Sequence, residues 1–175
     1  MCEYCGCQDV AAIGELTREH DLVVDLIGEA RSAGRDGDLP GMAQAARRIA
    51  EILGPHTRVE EDALFPALAD AFPDQIAALE AEHRLIETVL ADTARAVPQD
   101  AGWPQRLMDM LDMLRAHILK EQDGVFPAAL AELNTEAWEN LDAVRDTVGG
   151  ILRHPSRPTD RTAGAGRRAQ REIPG

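Results

Sequence analysis

Two copies of His-x3-Glu, His56 with Glu60 and His117 with Glu121, and two further histidines, His20 and His83, are the residues whose types and spacing suit metal ligation. On an α-helix, residues four apart sit about 40° apart around the axis and one turn along it, so each pair can aim both side chains at one point. Neutral imidazole and carboxylate together suit borderline to hard cations such as Fe, Mn or Zn, and a carboxylate has two oxygens with which to bridge two ions. Four imidazoles and two carboxylates, without a thiolate and split evenly across the chain, fit a dinuclear centre better than a closed tetrahedral zinc site. Iron is the expected metal, with Zn or Mn as alternatives. A lone His-x3-Glu is more often an ordinary surface pair worth a few tenths of a kcal/mol. Here four of the five histidines fall at matching places in a repeat, and the fifth, His154, lies beyond it and is not expected to be a ligand.

The repeat defines the elements that must position these groups. TREHDLVVDLIGEA (Thr17 to Ala30) resembles EAEHRLIETVLADT (Glu80 to Thr93), and GPHTRVEEDALFPAL (Gly54 to Leu68) resembles RAHILKEQDGVFPAAL (Arg115 to Leu130). His20 maps to His83 across 63 residues, His56 to His117 across 61, and Glu60, Phe65 and Pro66 map to Glu121, Phe126 and Pro127 across 61. The chain therefore reads as a duplicated helix hairpin. Each proposed helix has a seam spaced by three and four residues, the pattern of packed helices. The seams are Ile13, Leu16, His20, Val23, Ile27; Ile49, Ile52, His56, Val59, Ala63; Ile76, Leu79, His83, Ile86, Leu90; and Leu107, Met110, Leu114, His117, Glu121.

Breakers at Gly34 to Pro40, Phe65 to Pro73 and Val97 to Pro104 predict turns between antiparallel helices. Pro55 should kink the second helix or start a new turn before His56. A shorter fifth helix is expected from Asn134 to Val148, capped by Asn134 or Thr135. The fold expected is all-α: an antiparallel up-down four-helix bundle over residues 10–149 with that short fifth helix, preceded by a cysteine-rich segment, 1–9, and followed by a disordered arginine-rich tail, 150–175.

Composition agrees. The hydrophobic content of 45 % fills one core, and aromatics at 3 % point to helices and away from sheets. A formal net charge of −13 repels nucleic acid and anionic lipid, so neither is an expected partner. Arg153 to Gly175 holds six arginines against Asp160 and Glu172, so the body is more acidic than the whole. The opening MCEYCGCQDV has no apolar signal core, and no stretch approaches the roughly 20 apolar residues of a membrane span. A cytoplasmic protein is expected, in which Cys2, Cys5 and Cys7 serve metal or redox chemistry, or none, and form no disulfide framework.

The order His, His-x3-Glu, His, His-x3-Glu resembles the hemerythrin-like HHE cation-binding family from about Glu15 to Leu130. The resemblance implies an up-down bundle enclosing a carboxylate-bridged di-iron site. Glu60 and Glu121 would be the bridges, His20 and His56 would serve one iron, and His83 and His117 the other. Oxygen-carrying hemerythrins place a fifth histidine one turn after the third-helix ligand, where this chain has Glu87. Glu87 is thus a candidate third carboxylate ligand, an acceptor that orients an imidazole, or a solvated charge, and Glu80 and Glu82 are similar candidates. Asp62 and Asp123 recur in the repeat but should face elsewhere. Ferritin-like bundles need Glu-x-x-His on two helices, and only Glu80 to His83 fits. The function expected is binding or sensing of a small ligand (O2, NO or peroxide) at a di-iron centre, with a possible redox partner. The alternatives are a di-iron redox enzyme that decomposes peroxide or reduces NO, and iron storage or donation.

Overall fold

A computed structural model describes residues 10–149; Cys2, Cys5, Cys7 and the arginine-rich tail lie outside the described residues. Within them the secondary structure is helical. The elements are α1 (Ala11–Arg35), α2 (Leu39–Val59), α3 (Phe65–Leu68), α4 (Pro73–Ala91), α5 (Trp103–Lys120), α6 (Phe126–Glu132) and α7 (Thr135–Val148). Wider π turns at Glu60–Leu64 and Glu121–Val125 join α2 to α3 and α5 to α6. Helix α1 packs on α2 and α5, and α4 packs on α5 and α2, so the four long helices close a ring of neighbours. No helix among the described residues is long and apolar enough to cross a membrane.

Local chemistry explains the boundaries. The α1–α2 turn places Gly37 at φ 71°, a left-handed conformation that costs glycine little, and the Asp38 carboxylate caps α2 by accepting from the Gly41 N–H at 3.0 Å. Asn134 caps α7 by accepting from the Ala137 N–H at 3.0 Å, as its place before the helix predicts.

One of the two outcomes expected at Pro55, a new turn, and the expected start of the turn before Pro73 need correction. Helix α2 runs through Pro55 to Val59, so no new turn begins before His56. The bond lost there is that of the Glu51 carbonyl, and Glu51 is solvent-exposed, which lets water replace it. Phe65 to Leu68 is helical, so the turn before Pro73 starts later than the breakers suggest. In a continued α-helix the ring of Pro66 would clash with the Asp62 carbonyl, and that of Pro127 with the Asp123 carbonyl. The π turns relieve both clashes by inserting a residue: the Phe65 N–H reaches the Glu60 carbonyl, and the Phe126 N–H the Glu121 carbonyl, five residues back. The third turn also starts earlier than predicted, because α4 ends at Ala91.

The apolar core is split. One cluster, including Val23, Ile27, Ile49, Leu107 and Leu111, fills one end of the bundle, and another, including Ile13, Leu16, Leu64, Phe65, Phe126 and Leu141, fills the other. Between them along every long helix lies a polar belt. Helix α7 packs on α1, α2 and the first π turn, contributing the fully buried Leu141 to the second cluster.

Candidate metal centre

The seams deliver six polar side chains to that belt. His20, His56, Glu60, His83, His117 and Glu121 are each 3 % exposed or less. Their donor atoms fall into two groups, His20 with His56, Glu60 and Glu121, and His83 with His117 and Glu121, whose atoms lie within 4.8 Å of one another in each group. Each carboxylate faces both groups. Glu60 sets one oxygen 3.3 Å from His56 Nε2 and the other 3.5 Å from His83 Nε2. Glu121 sets one oxygen 3.1 Å from His20 Nε2 and the other 2.9 Å from His117 Nε2.

The outward ring nitrogens explain why the inward ones are free to coordinate. His56 Nδ1 lies 2.9 Å from Glu19, His83 Nδ1 2.8 Å from Glu61, and His117 Nδ1 2.9 Å from Glu82. An ionised carboxylate only accepts, so Nδ1 carries a proton in each case, and a ring that gives up its second proton to a metal presents the Nε2 lone pair inward. His83 Nε2 and His117 Nε2 stand 3.0 Å apart, a close approach of two like atoms that a shared cation or a proton would relieve. Both oxygens of Glu60 and of Glu121, His56 Nε2 and His20 Nδ1 are buried without a well-directed hydrogen bond. Such a set costs several kcal/mol per buried charge unless compensated, and converging Nε2 and carboxylate oxygens are the donor set a divalent cation compensates.

The electrostatics of the protein groups alone express the same tension. Burial would lower the basicity of His56, but the charge of Glu60, the hydrogen bonds of Glu19 and Glu60 and the charge of Glu121 raise it to about 10. His117 is likewise held at about 9, against burial, by Glu121, Glu60 and Glu82. Burial works to raise the Glu121 carboxyl, yet His117 and His20 hold it well below the usual carboxylate range.

Packing around the ligands crosses the repeat. Phe65, from the first half, stacks on His83 at 5.5 Å, and Phe126, from the second, stacks on His20 at 5.6 Å. Sequence comparison shows the two phenylalanines as matching positions, and their service to the opposite half emerges only in three dimensions.

Glu87 is exposed and belongs to neither group of donors; it lines a small cavity beside the centre, together with the four histidines, Leu53, Thr57, Ile86, Leu114 and Ile118. Glu82 is brought to the site as an acceptor, Glu80 joins neither donor group, and Asp62 and Asp123 face solvent. Sequence reasoning missed Glu19, Glu61 and Arg145. Glu19 was within reach, since Glu19–His20 and Glu82–His83 repeat as a dipeptide, and each glutamate backs the histidine of a neighbouring His-x3-Glu.

Fold and site together define an all-helical bundle with a metal-binding midsection. The hemerythrin HHE cation binding domain model matches residues 11–129, and the chain belongs to that family. No curated protein and no solved structure matches it.

Proposed function

We propose that the centre holds two iron ions bridged by Glu60 and Glu121, with His20 and His56 on one ion and His83 and His117 on the other, and that it binds or senses a small ligand such as O2, NO or peroxide. The observation that carries the two-ion reading is the placement of each carboxylate, one oxygen toward each pair of histidines. Bound there, iron supplies electrons and coordination positions left open by six protein groups.

The chain's own residues favour a small ligand. The cavity beside the four imidazoles leaves about 10 Å³ for the centre of a water-sized sphere, which suits about one water or a diatomic molecule. Leu53, Ile86, Leu114 and Ile118 give it apolar walls that exclude bulk water. Leu53 and Glu87 also line a wider, open groove between α2 and α4, with Arg47, Glu51, Gly54 and Leu90, which places a solvent-exposed surface beside this cavity.

The test is metal analysis and absorption spectroscopy of protein purified without added metal, before and after exposure to O2, NO and peroxide. Two irons per chain and a stoichiometric spectral change support the reading; a single zinc ion sinks it. Sustained consumption of ligand with a reductant would move the assignment to a redox enzyme, and rapid loss of iron to a chelator would move it to storage or donation.

A further inference from the structure

Helix α7 begins at Thr135, beyond the residues 11–129 that match the family, yet one of its side chains reaches the polar belt. Arg145 is 8 % exposed and grips Glu19 with a fork: Nη1 lies 2.9 Å from Oε1 and Nη2 3.0 Å from Oε2. That same Oε2 accepts from His56 Nδ1 at 2.9 Å. Arg145 Nε lies a further 3.6 Å from Glu15, one turn back along α1.

The other half has no such chain. Glu61, which backs His83, has a side chain 41 % exposed and no Lys or Arg within 4.0 Å among the described residues. Glu82, which backs His117, is 19 % exposed and pairs with Lys120, whose side chain is 53 % exposed. A carboxylate in water can turn and still be solvated. Glu19, in a dry position, can remain ionised and aimed only while a cation neutralises it, and a planar guanidinium fixes both oxygens at once.

We propose that α7 is a clamp on one half of the centre, in which Arg145 and Glu19 are positioning residues that fix the tautomer and orientation of His56. The inference rests on the two-ion reading above and adds to it an inequivalence: the ion at His20 and His56 is held by a buried, helix-borne lock, and the ion at His83 and His117 by groups that solvent can reach. Loss of the fork frees Glu19 to rotate, lets the His56 ring reorient, and weakens the first ion without touching the second.

The experiment compares the full-length wild type with R145M, R145K, E19Q and E61Q. Each is loaded anaerobically with Fe(II), and release to a chelator is followed as two phases. Because Met keeps the apolar stem of Arg145 and removes the fork, R145M should speed one phase about 10- to 100-fold, as loss of a partner behind a metal-bound histidine does. The other phase should stay within about twofold, R145K should fall between R145M and wild type, and E61Q should speed the phase that R145M spares. Equal acceleration of both phases in R145M, or a lowered Tm with both phases unchanged, would give Arg145 a purely structural role and overturn the clamp.

Histidine ¹⁵N and ¹H spectra of the zinc-loaded chain supply a second readout. The His56 Nδ1 proton should shift in E19Q and R145K and stay in place in E61Q. Should the wild type hold fewer than two ions, the two-ion reading fails by itself, and these spectra still decide the clamp, since an unmoved His56 proton in R145K and E19Q overturns it.

Discussion

His56 and His117 occupy matching places in the repeat, and each gives its Nδ1 proton to the glutamate that precedes the lone histidine of the same repeat, Glu19 or Glu82. Behind those glutamates the likeness ends: Arg145 of α7 buries Glu19, while Lys120 meets Glu82 near solvent. The lone histidines differ as well. His83 is backed by Glu61, but the position that matches Glu61 is Gln122, and His20 Nδ1 is buried without a hydrogen-bond partner. Duplication thus copied the inward donors and left the outward supports free to diverge. A metal centre demands symmetry only of the atoms that point at it.

The comparison breaks most sharply at the carboxylates. Glu121 belongs to both groups of donors, whereas Glu60 belongs to the first and meets the second through the 3.5 Å approach to His83. With two ions bound as proposed, Glu121→Ala should therefore abolish binding of both. Glu60→Ala should retain about one, at the His83 and His117 position, since ligand loss there is partial. Metal content per chain after desalting distinguishes the two, and equal losses would mean that the halves are not separable.

Acidity gives the next largest effect. In the metal-free chain His56 and His117 are raised to about 10 and about 9 from an ordinary 6.5. The folded state thus binds protons the unfolded state releases, and their stabilisation is complete below pH about 6.5 and lost as pH climbs through 9 and 10. Glu121 has the opposite sign: its depressed value stabilises above about 4.5, the ordinary carboxylate value, and is lost on acidification. Metal-free protein should therefore melt highest near pH 5 to 6.5 and several degrees lower at pH 9. Metal uptake needs bare nitrogens, so it should release protons and tighten with pH. Melting with and without chelator at pH 6 and pH 9 measures both, and a metal-free Tm that rises toward pH 9 would contradict the imidazolium–carboxylate pairing.

The two phenylalanines test whether the halves brace each other. Phe126 stacks on His20 and Phe65 on His83, each from the opposite repeat. Either Phe→Leu change should cost about 1–2 kcal/mol of stability by thinning the packing. Phe126→Leu should also loosen the ion at His20 and Phe65→Leu the one at His83, readable as opposite phases of chelator release. If each variant instead affected the ion of its own repeat, the crossed packing would have no bearing on the metal.

How much of this was legible in the sequence follows from what repeats and what does not. Apolar seams three and four residues apart, and histidines set in them, are properties of one helix at a time, so the bundle and its six inward side chains could be read directly. The π turns were half visible: Pro66 and Pro127 recur six residues after Glu60 and Glu121, and a helix that continues past a proline must lose a bond, as at Pro55, bend or widen, as it does here. Arg145 was out of reach, because nothing periodic connects a residue of α7 with Glu19, 126 positions earlier. Pairs brought together only by packing leave no local mark.

Glu87 offers the smallest effect and the last asymmetry. It stands one turn after His83, and its counterpart after His20 is the partly buried Val24. A carboxylate ligand at that position would give the second half an extra donor and make it the tighter of the two. Its exposure, and its absence from both groups of converging atoms, argue that it acts on what reaches the cavity and leaves the ions alone. Glu87→Gln should leave metal content and the resting spectrum unchanged and alter only the rate at which a small anion such as azide perturbs that spectrum, since removing a negative charge at the cavity wall favours an incoming anion. Loss of an ion from Glu87→Gln would instead place the carboxylate on the metal and reverse which half is the better held.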